Sequence, residues 1–584
     1  MLFARYLERE IRLAELEEEW FAPARRLVPF AEELFELEES LLAMDFVSGQ
    51  KAAGRIHKLA KAATATKDDF DGSDYAPHEI LAAAEVLGDS TKALDRWHSF
   101  YHGYDPEFDW WVSAPYQALQ ESIDALKTHL NDFVTKGNAD LIVGKPVGRE
   151  RLLEDLGYER IPYSPEELIA IAEEQYAWCQ ARIQEASKQL GFGDDWRAAQ
   201  EHVKGMHEKP GSQPAAIKRL ALEGIEFVES RGLVTVPELA KETIHMSMMS
   251  AEHQKVNPFF LGGKRIIVSY PTSAMSHEEK LMSMRGNNTP FSHATVQHEL
   301  IPGHHLQWFM EARNKPYRQL FATPFWIEGW TLHWEMLLWD LGFPRSAAEE
   351  IGMLFWRRHR CVRVVFSLQF HLGQISAQDC VEMLVERVGH ERANAEGEVR
   401  RSVGSSYSPL YQLAYLIGGL QFRSLYFELV KGGRMTDKEF HDGIMAENNI
   451  PPYTMRSLLR GDEITQDYGP EWRFADTLPR PKKRLTSRSA RIGRQRIRRG
   501  HLPCTDVRGM PGRRSTLSFS GSCLWGTGRQ PILRKGWPTA SLAFAYSLSF
   551  TTRTPDTEPD ALSAAASTLT VTLVLPLVSL VGMP

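Results

Sequence analysis

The stretch QHELIPGHHLQWFM, Gln297 to Met310, begins like a zinc-binding helix and then departs from one. In the HExxH arrangement the second histidine follows the first by four residues, so both imidazoles share one helical face and one metal. Here Pro302 holds that place, and the next histidines are His304 and His305. An undistorted helix turns His305 to the side of His298, but seven residues rise about 10.5 Å, whereas two nitrogens on one zinc lie no more than roughly 4 Å apart. Pro302 cannot donate to the carbonyl of His298 and its ring clashes there, while Gly303 tolerates conformations closed to other residues. The helix is therefore expected to bulge at Pro302 and Gly303. Looping out two residues brings His304 to the place of the second histidine and leaves His305 beside or behind it.

A third protein ligand is needed, and TPFWIEGWTLHWEMLLWDLG, Thr323 to Gly342, offers one. Thr323 can cap a helix and Pro324 can open it, which sets Glu328, Leu332, Glu335 and Trp339 on one face. Carboxylates in so apolar a helix are costly to bury unless they are paired or bind a cation. The competing reading pairs Glu328 and Glu335 with Arg357, Arg358, Arg360 or Arg363 of the next helix. Zinc held by His298, His304 and Glu328 keeps a fourth position for water, with Glu299 as the general base beside it and Glu335 or His305 as an outer or alternative partner.

The rest of the chain sets the bounds. Its 584 residues are 43% hydrophobic and 24% charged with a net charge of -7, which suits a large globular core and gives no general bias toward nucleic acid. Five scattered cysteines form no CxxC pair, so neither a cysteine-based zinc site nor a disulfide framework is expected. The N-terminal MLFARYLEREIRLAELEEEW is charged throughout and lacks the apolar core of a secretory signal, which points to the cytoplasm. Helical periodicity dominates from Met1 to about Ala475, as in the segment Pro165 to Gly191, where Ser164 can cap. Between Leu233 and Pro271, the runs LVTVP, TIHMSMM and KRIIVSYP predict a small sheet before the HE motif. The chain thus divides into a helical domain, 1–479, and a tail, 480–584. The tail opens with the basic PRPKKRLTSRSARIGRQRIRRG, is rich in Ser, Thr, Gly and Pro, and reads as disordered. Its last stretch, Ala561 to Pro584, approaches the ~20 residues of a membrane helix but is threonine-rich and broken by Pro576, so no anchor is expected.

These motifs together resemble the family known as domain of unknown function 885. HELIPGHHLQ fits the family's HExxPGHHLQ-like segment, and EGWTLHWE fits its EGWALYxE-like segment with Thr331 for Ala and His333 for Tyr. RVVFSLQFHLG, from Arg363, and YQLAYLIGG, from Tyr411, match two further segments. The resemblance implies a mainly α-helical, metallopeptidase-like fold around a deep cleft, similar in plan to the gluzincin peptidases, with a His, His, Glu zinc site and His304 rather than His305 as the second histidine. Tyr415 and His371, which fall at family motif positions, are candidates to stabilise an oxyanion. One departure stands out: Ser367, Leu368 and Gln369 replace a family Asp-Thr-Gly, so a carboxylate near the site is missing and activity is put in question. The expectation is a zinc-dependent peptidase acting on peptide substrates, with KRIIVSY offering a sheet edge to an extended peptide. The rivals are hydrolysis of other amides, a catalytically inactive binding protein with the same fold, and nucleic-acid binding confined to the basic tail.

Overall fold

The computed structural model describes residues 2–138, 141–255, 257–404, 407–464, 471–478, 545–550 and 569–574. The chain divides into one unit over Met1–Pro479 and a second over Arg480–Met583. In the second, Ala545–Phe550 and Leu569–Val574 pair as antiparallel strands, where the sequence reading expects no regular structure. The rest of that expectation falls outside the described residues.

The first unit is mainly α-helical, with 21 helices among the described residues. Its first five helices, between Leu2 and Thr135, enclose a core of their own around Trp97, Phe108 and Leu126. The helices from Gly148 onward share a second, larger core rich in tryptophan and phenylalanine. Local sequence explains many of the boundaries. Ser164 accepts from the Glu167 amide at 3.2 Å and starts the helix Pro165–Gln189, and Gly191 leaves it at φ 89°. Among the described residues, no helix is long and apolar enough to cross a membrane.

The small sheet is present but shorter than expected. Strands β1 (Met246–Met248) and β2 (Ile266–Val268) run parallel, while LVTVP is not a strand. Thr235 in that segment instead gives its amide and hydroxyl to Asp442. Ile267 of β2 pairs with Ser247 on one side and with Leu261 on the other. The middle of KRIIVSY therefore has no open edge, which removes β2 as the place for an added peptide strand.

Four helices carry the centre of the larger core. The HE helix is Thr289–Glu299, the EGW helix Pro324–Asp340, the arginine helix Ala347–His371 and the tyrosine helix Tyr411–Tyr426. The EGW and tyrosine helices meet backbone to backbone. A Cβ on Gly329 would stand 2.6 Å from the carbonyl carbon of Gly418, so only two glycines allow this crossing. It carries Tyr411 and Tyr415 onto the face that bears Glu328.

Candidate metal centre

The HE helix starts where Asn288 accepts from the Phe291 amide at 3.0 Å, with Pro290 in its first turn. It ends at Glu299, and a new helix, His304–Glu311, begins after the Pro302-Gly303 pair. The chain breaks here rather than bulging. A proline that cannot donate is followed by a glycine whose added Cβ would lie 1.8 Å from the carbonyl oxygen of His298, so the second helix can fold back onto the end of the first. The Ile301-Pro302 peptide bond is cis. Trp330 of the EGW helix donates its indole N–H to the Pro302 carbonyl at 2.9 Å and ties this turn to the neighbouring helix.

The break brings His298, Glu299 and His304 together, with one possible ligand atom from each lying within 4.8 Å of the others. Glu328 joins them from the EGW helix, which begins at the Thr323 cap as its sequence suggests. Its Oε2 stands 3.4 Å from His298 Nε2 and 3.3 Å from His304 Nε2, and no hydrogen bond satisfies this buried oxygen. Its Oε1 accepts from the Tyr411 hydroxyl at 2.6 Å.

Both histidines are oriented from behind. His298 Nδ1 lies 2.8 Å from Glu335 Oε1, and His304 Nδ1 lies 3.0 Å from Gln307 Oε1. A proton on each Nδ1 satisfies those contacts, so that each Nε2, once without a proton of its own, would offer its lone pair to a cation beside Glu328. Gln307 is itself held by the Trp326 and Ile327 carbonyls, at 3.4 and 3.3 Å. Glu335 also meets Arg360 at 3.3 Å. Two imidazole nitrogens and a carboxylate oxygen thus converge in a buried place, a nitrogen and oxygen donor set that fits a cation such as zinc.

The electrostatics carry the same demand. Burial would raise the Glu328 carboxyl, but His304 and His298 hold it well below the usual range. Burial would lower His298, yet the flanking carboxylates of Glu328 and Glu335 outweigh it and lift the imidazole to about 9. Glu299 is raised, first by burial and also by Glu328, although both histidines oppose the shift. Without a cation, three buried carboxylates lean on the His298 proton and on Arg360, a costly arrangement.

The other expected residues divide. Tyr415 lines the same cavity, with its ring 6.1 Å from that of His298 and under the guanidinium groups of Arg360 and Arg363. Burial raises its hydroxyl above the ordinary tyrosine range. His371 is not brought to the site. It ends the arginine helix, eleven residues beyond Arg360 and so roughly 16 Å along the axis. Burial pushes it down to about 4. His305 turns away from the metal group, with its two nitrogens 3.0 Å from the Gly263 carbonyl and 2.9 Å from that of Ala240. It is a buried strut between the short helix Glu238–Glu242 and the loop at Gly263. Ser367, Leu368 and Gln369 do not line the cavity, so the missing family carboxylate leaves no gap there.

Sequence reasoning missed Tyr411, Gln307, Arg401 and Glu398. Gln307 sits inside the quoted motif, and its spacing of three from His304 on a helix was the available signal. The deep cleft is not shown; the space beside these residues is a cavity of ≈ 50 Å³.

The family model described as "Bacterial protein of unknown function (DUF885)" matches residues 50–459, and the chain belongs to that family. Among curated proteins, none matches the sequence. The fold is similar to that of "a putative lipoprotein of unknown function" from Shewanella oneidensis, with a TM-score of 0.56 at 17% identity, covering 70% of this chain and 77% of that one. It is also similar to "the putative lipoprotein" from Colwellia psychrerythraea, with a TM-score of 0.50 at 15% identity, covering 70% and 75%. At such identities the likeness concerns the fold alone.

Proposed function

We propose that this member of the DUF885 family is a zinc-dependent hydrolase of amide bonds, most simply of peptides. The observation that carries the reading is the convergence of His298 Nε2 and His304 Nε2 on the unsatisfied Glu328 Oε2, with the Glu299 carboxylate beside them. His298, His304 and Glu328 would hold the ion. When bound there, zinc would polarise the scissile carbonyl and bring the pKa of water toward about 7.

The chain's own groups do the rest. Glu299 accepts a proton from the attacking water and returns it to the leaving nitrogen, a task suited to a carboxyl whose pKa burial has raised. Tyr415 keeps its proton and donates to the carbonyl oxygen as negative charge develops there. Tyr411 and Glu335 hold Glu328 and His298 in place. The Glu299→Gln variant tests the reading in the zinc-loaded full chain against a mixture of peptides. Hydrolysis lost by at least roughly a hundredfold, with metal content unchanged, is expected of a general base. Equal metal with no hydrolysis by wild type would instead support an inactive binding protein. The lipoprotein descriptions of both solved neighbours favour the cell envelope over the cytoplasm expected from the charged N-terminal sequence, and fractionation of cells producing the full chain separates the two.

A further inference from the structure

Arg360 and Arg363 stand one turn apart on the arginine helix, and Arg401 reaches the same cavity from the helix Arg392–Val403. All three are buried. Two carboxylates form ion pairs with the three among the described residues. Glu335 pairs with Arg360, while the single carboxylate of Glu398 serves both Arg363 and Arg401. One guanidinium charge is therefore without a carboxylate of its own. Arg363 is 2% exposed, and its Nη1 and Nε have no hydrogen-bond partner; the Nε of Arg401 has none either. The Nε and Nη1 of Arg363 lie on different edges of the guanidinium, so each offers a separate hydrogen bond, and a charged donor left unmet in a buried place is costly and suits an anionic acceptor. A single buried water needs about 10–15 Å³, and the cavity beside Glu299 measures ≈ 50 Å³. It has room beside Glu299 for a group the size of a carboxylate.

We propose that Arg363, backed by Arg401, binds the free carboxylate of the substrate, so that the bond cut is the one next to a peptide's C-terminal residue. The inference rests on the hydrolase reading above and names its substrate class. In the reaction the amide C–N bond breaks and the oxygen of water joins the acyl carbon. Glu299 carries a proton from that water to the leaving nitrogen, and the departing amino acid keeps its own carboxylate against Arg363.

The test compares N-benzoylglycine with N-benzoylglycinamide, which differ only in the carboxylate, by calorimetry on the zinc-loaded full chain. The acid is expected to bind roughly ten- to a hundredfold more tightly than the amide. The Arg363→Met variant, which leaves Glu398 paired with Arg401, is expected to lose that preference. The metal-free wild type is expected to retain it, which covers the case of a variant that does not fold. Equal binding of the two probes overturns the proposal. So does a preference that vanishes with the metal, or one that persists in the folded Arg363→Met variant, since the carboxylate would then be held elsewhere. Peptides with free and amidated C-termini, assayed in parallel, separate this inference from the one beneath it. Cleavage of both at equal rates removes the carboxylate subsite and leaves the hydrolase. A carboxylate preference in binding without cleavage of either keeps the subsite and removes the hydrolase.

Discussion

Gly303→Ala is the sharpest probe of how the chain assembles its metal group. The new Cβ would lie 1.8 Å from the His298 carbonyl oxygen, 2.4 Å from its carbon and 2.5 Å from the Gln297 carbonyl oxygen, where real Cβ atoms essentially never come within 3.0 Å. All three atoms are backbone of the HE helix, so no side chain can swing aside. The turn must open by about 1.2 Å, the difference between 3.0 and 1.8 Å, and forced repacking of that kind costs about 1–3 kcal/mol. His304 begins the helix that would move, whereas ligand positions around a metal tolerate only about ±0.2 Å. Metal affinity is therefore expected to fall by roughly a hundredfold or more, beyond what loss of an outer partner alone does. The assay is a competitive chelator titration of the full chain, with thermal unfolding of the metal-free form measured alongside. Gly54→Ala serves as control: it lies in the helix Gly49–Asp69 with no heavy atom within 4 Å of its added Cβ. It is expected to stabilise by about 0.5–1 kcal/mol and leave the metal alone. Unchanged metal affinity in a folded Gly303→Ala protein would refute the reasoning, because His304 would then not depend on this turn.

Other outcomes follow from the same geometry. His305→Ala leaves the Gly263 and Ala240 carbonyls without their shared partner, so unfolding should show a loss of about 1–3 kcal/mol with the metal kept. Glu335→Gln keeps an acceptor for His298 but removes the charge, and a chelator titration should find roughly 10- to 100-fold weaker metal binding. Because His298 is lifted from 6.5 to about 9 in the metal-free chain, its stabilising contribution is full below pH 6.5 and lost as pH rises through about 9. The metal must displace that proton, so its apparent affinity should climb about tenfold per pH unit up to about 9, as titrations at pH 6, 7 and 8 would show.

Much of the centre was legible because its chemistry lies in short windows. His298, Glu299, the helix-breaking Pro302-Gly303 and His304 fall within seven residues, and the Thr323-Pro324 start fixes which face Glu328 and Glu335 share. The form of the break was not legible, since a bulge and a full stop answer the same missing donor; the difference lies in the space beside the His298 carbonyl. The cationic wall was hidden for another reason. Arg358, Arg360 and Arg363 are all buried in one helix, and nothing local says that Arg360 meets Glu335 while Arg363 meets Glu398. Tyr411 reaches Glu328 across 83 residues, through a crossing that depends on Gly329 and Gly418. His371 misled because position in a motif was taken without the length of the helix that carries it. LVTVP misled because β-propensity gave way to bonds with Asp442.

The most direct measurement is the metal content of the purified full chain after zinc reconstitution, for wild type, His304→Ala and His305→Ala side by side. About one zinc per chain is expected in wild type and in His305→Ala, and little in His304→Ala. No zinc in wild type, or zinc lost with His305 and kept without His304, would contradict that expectation.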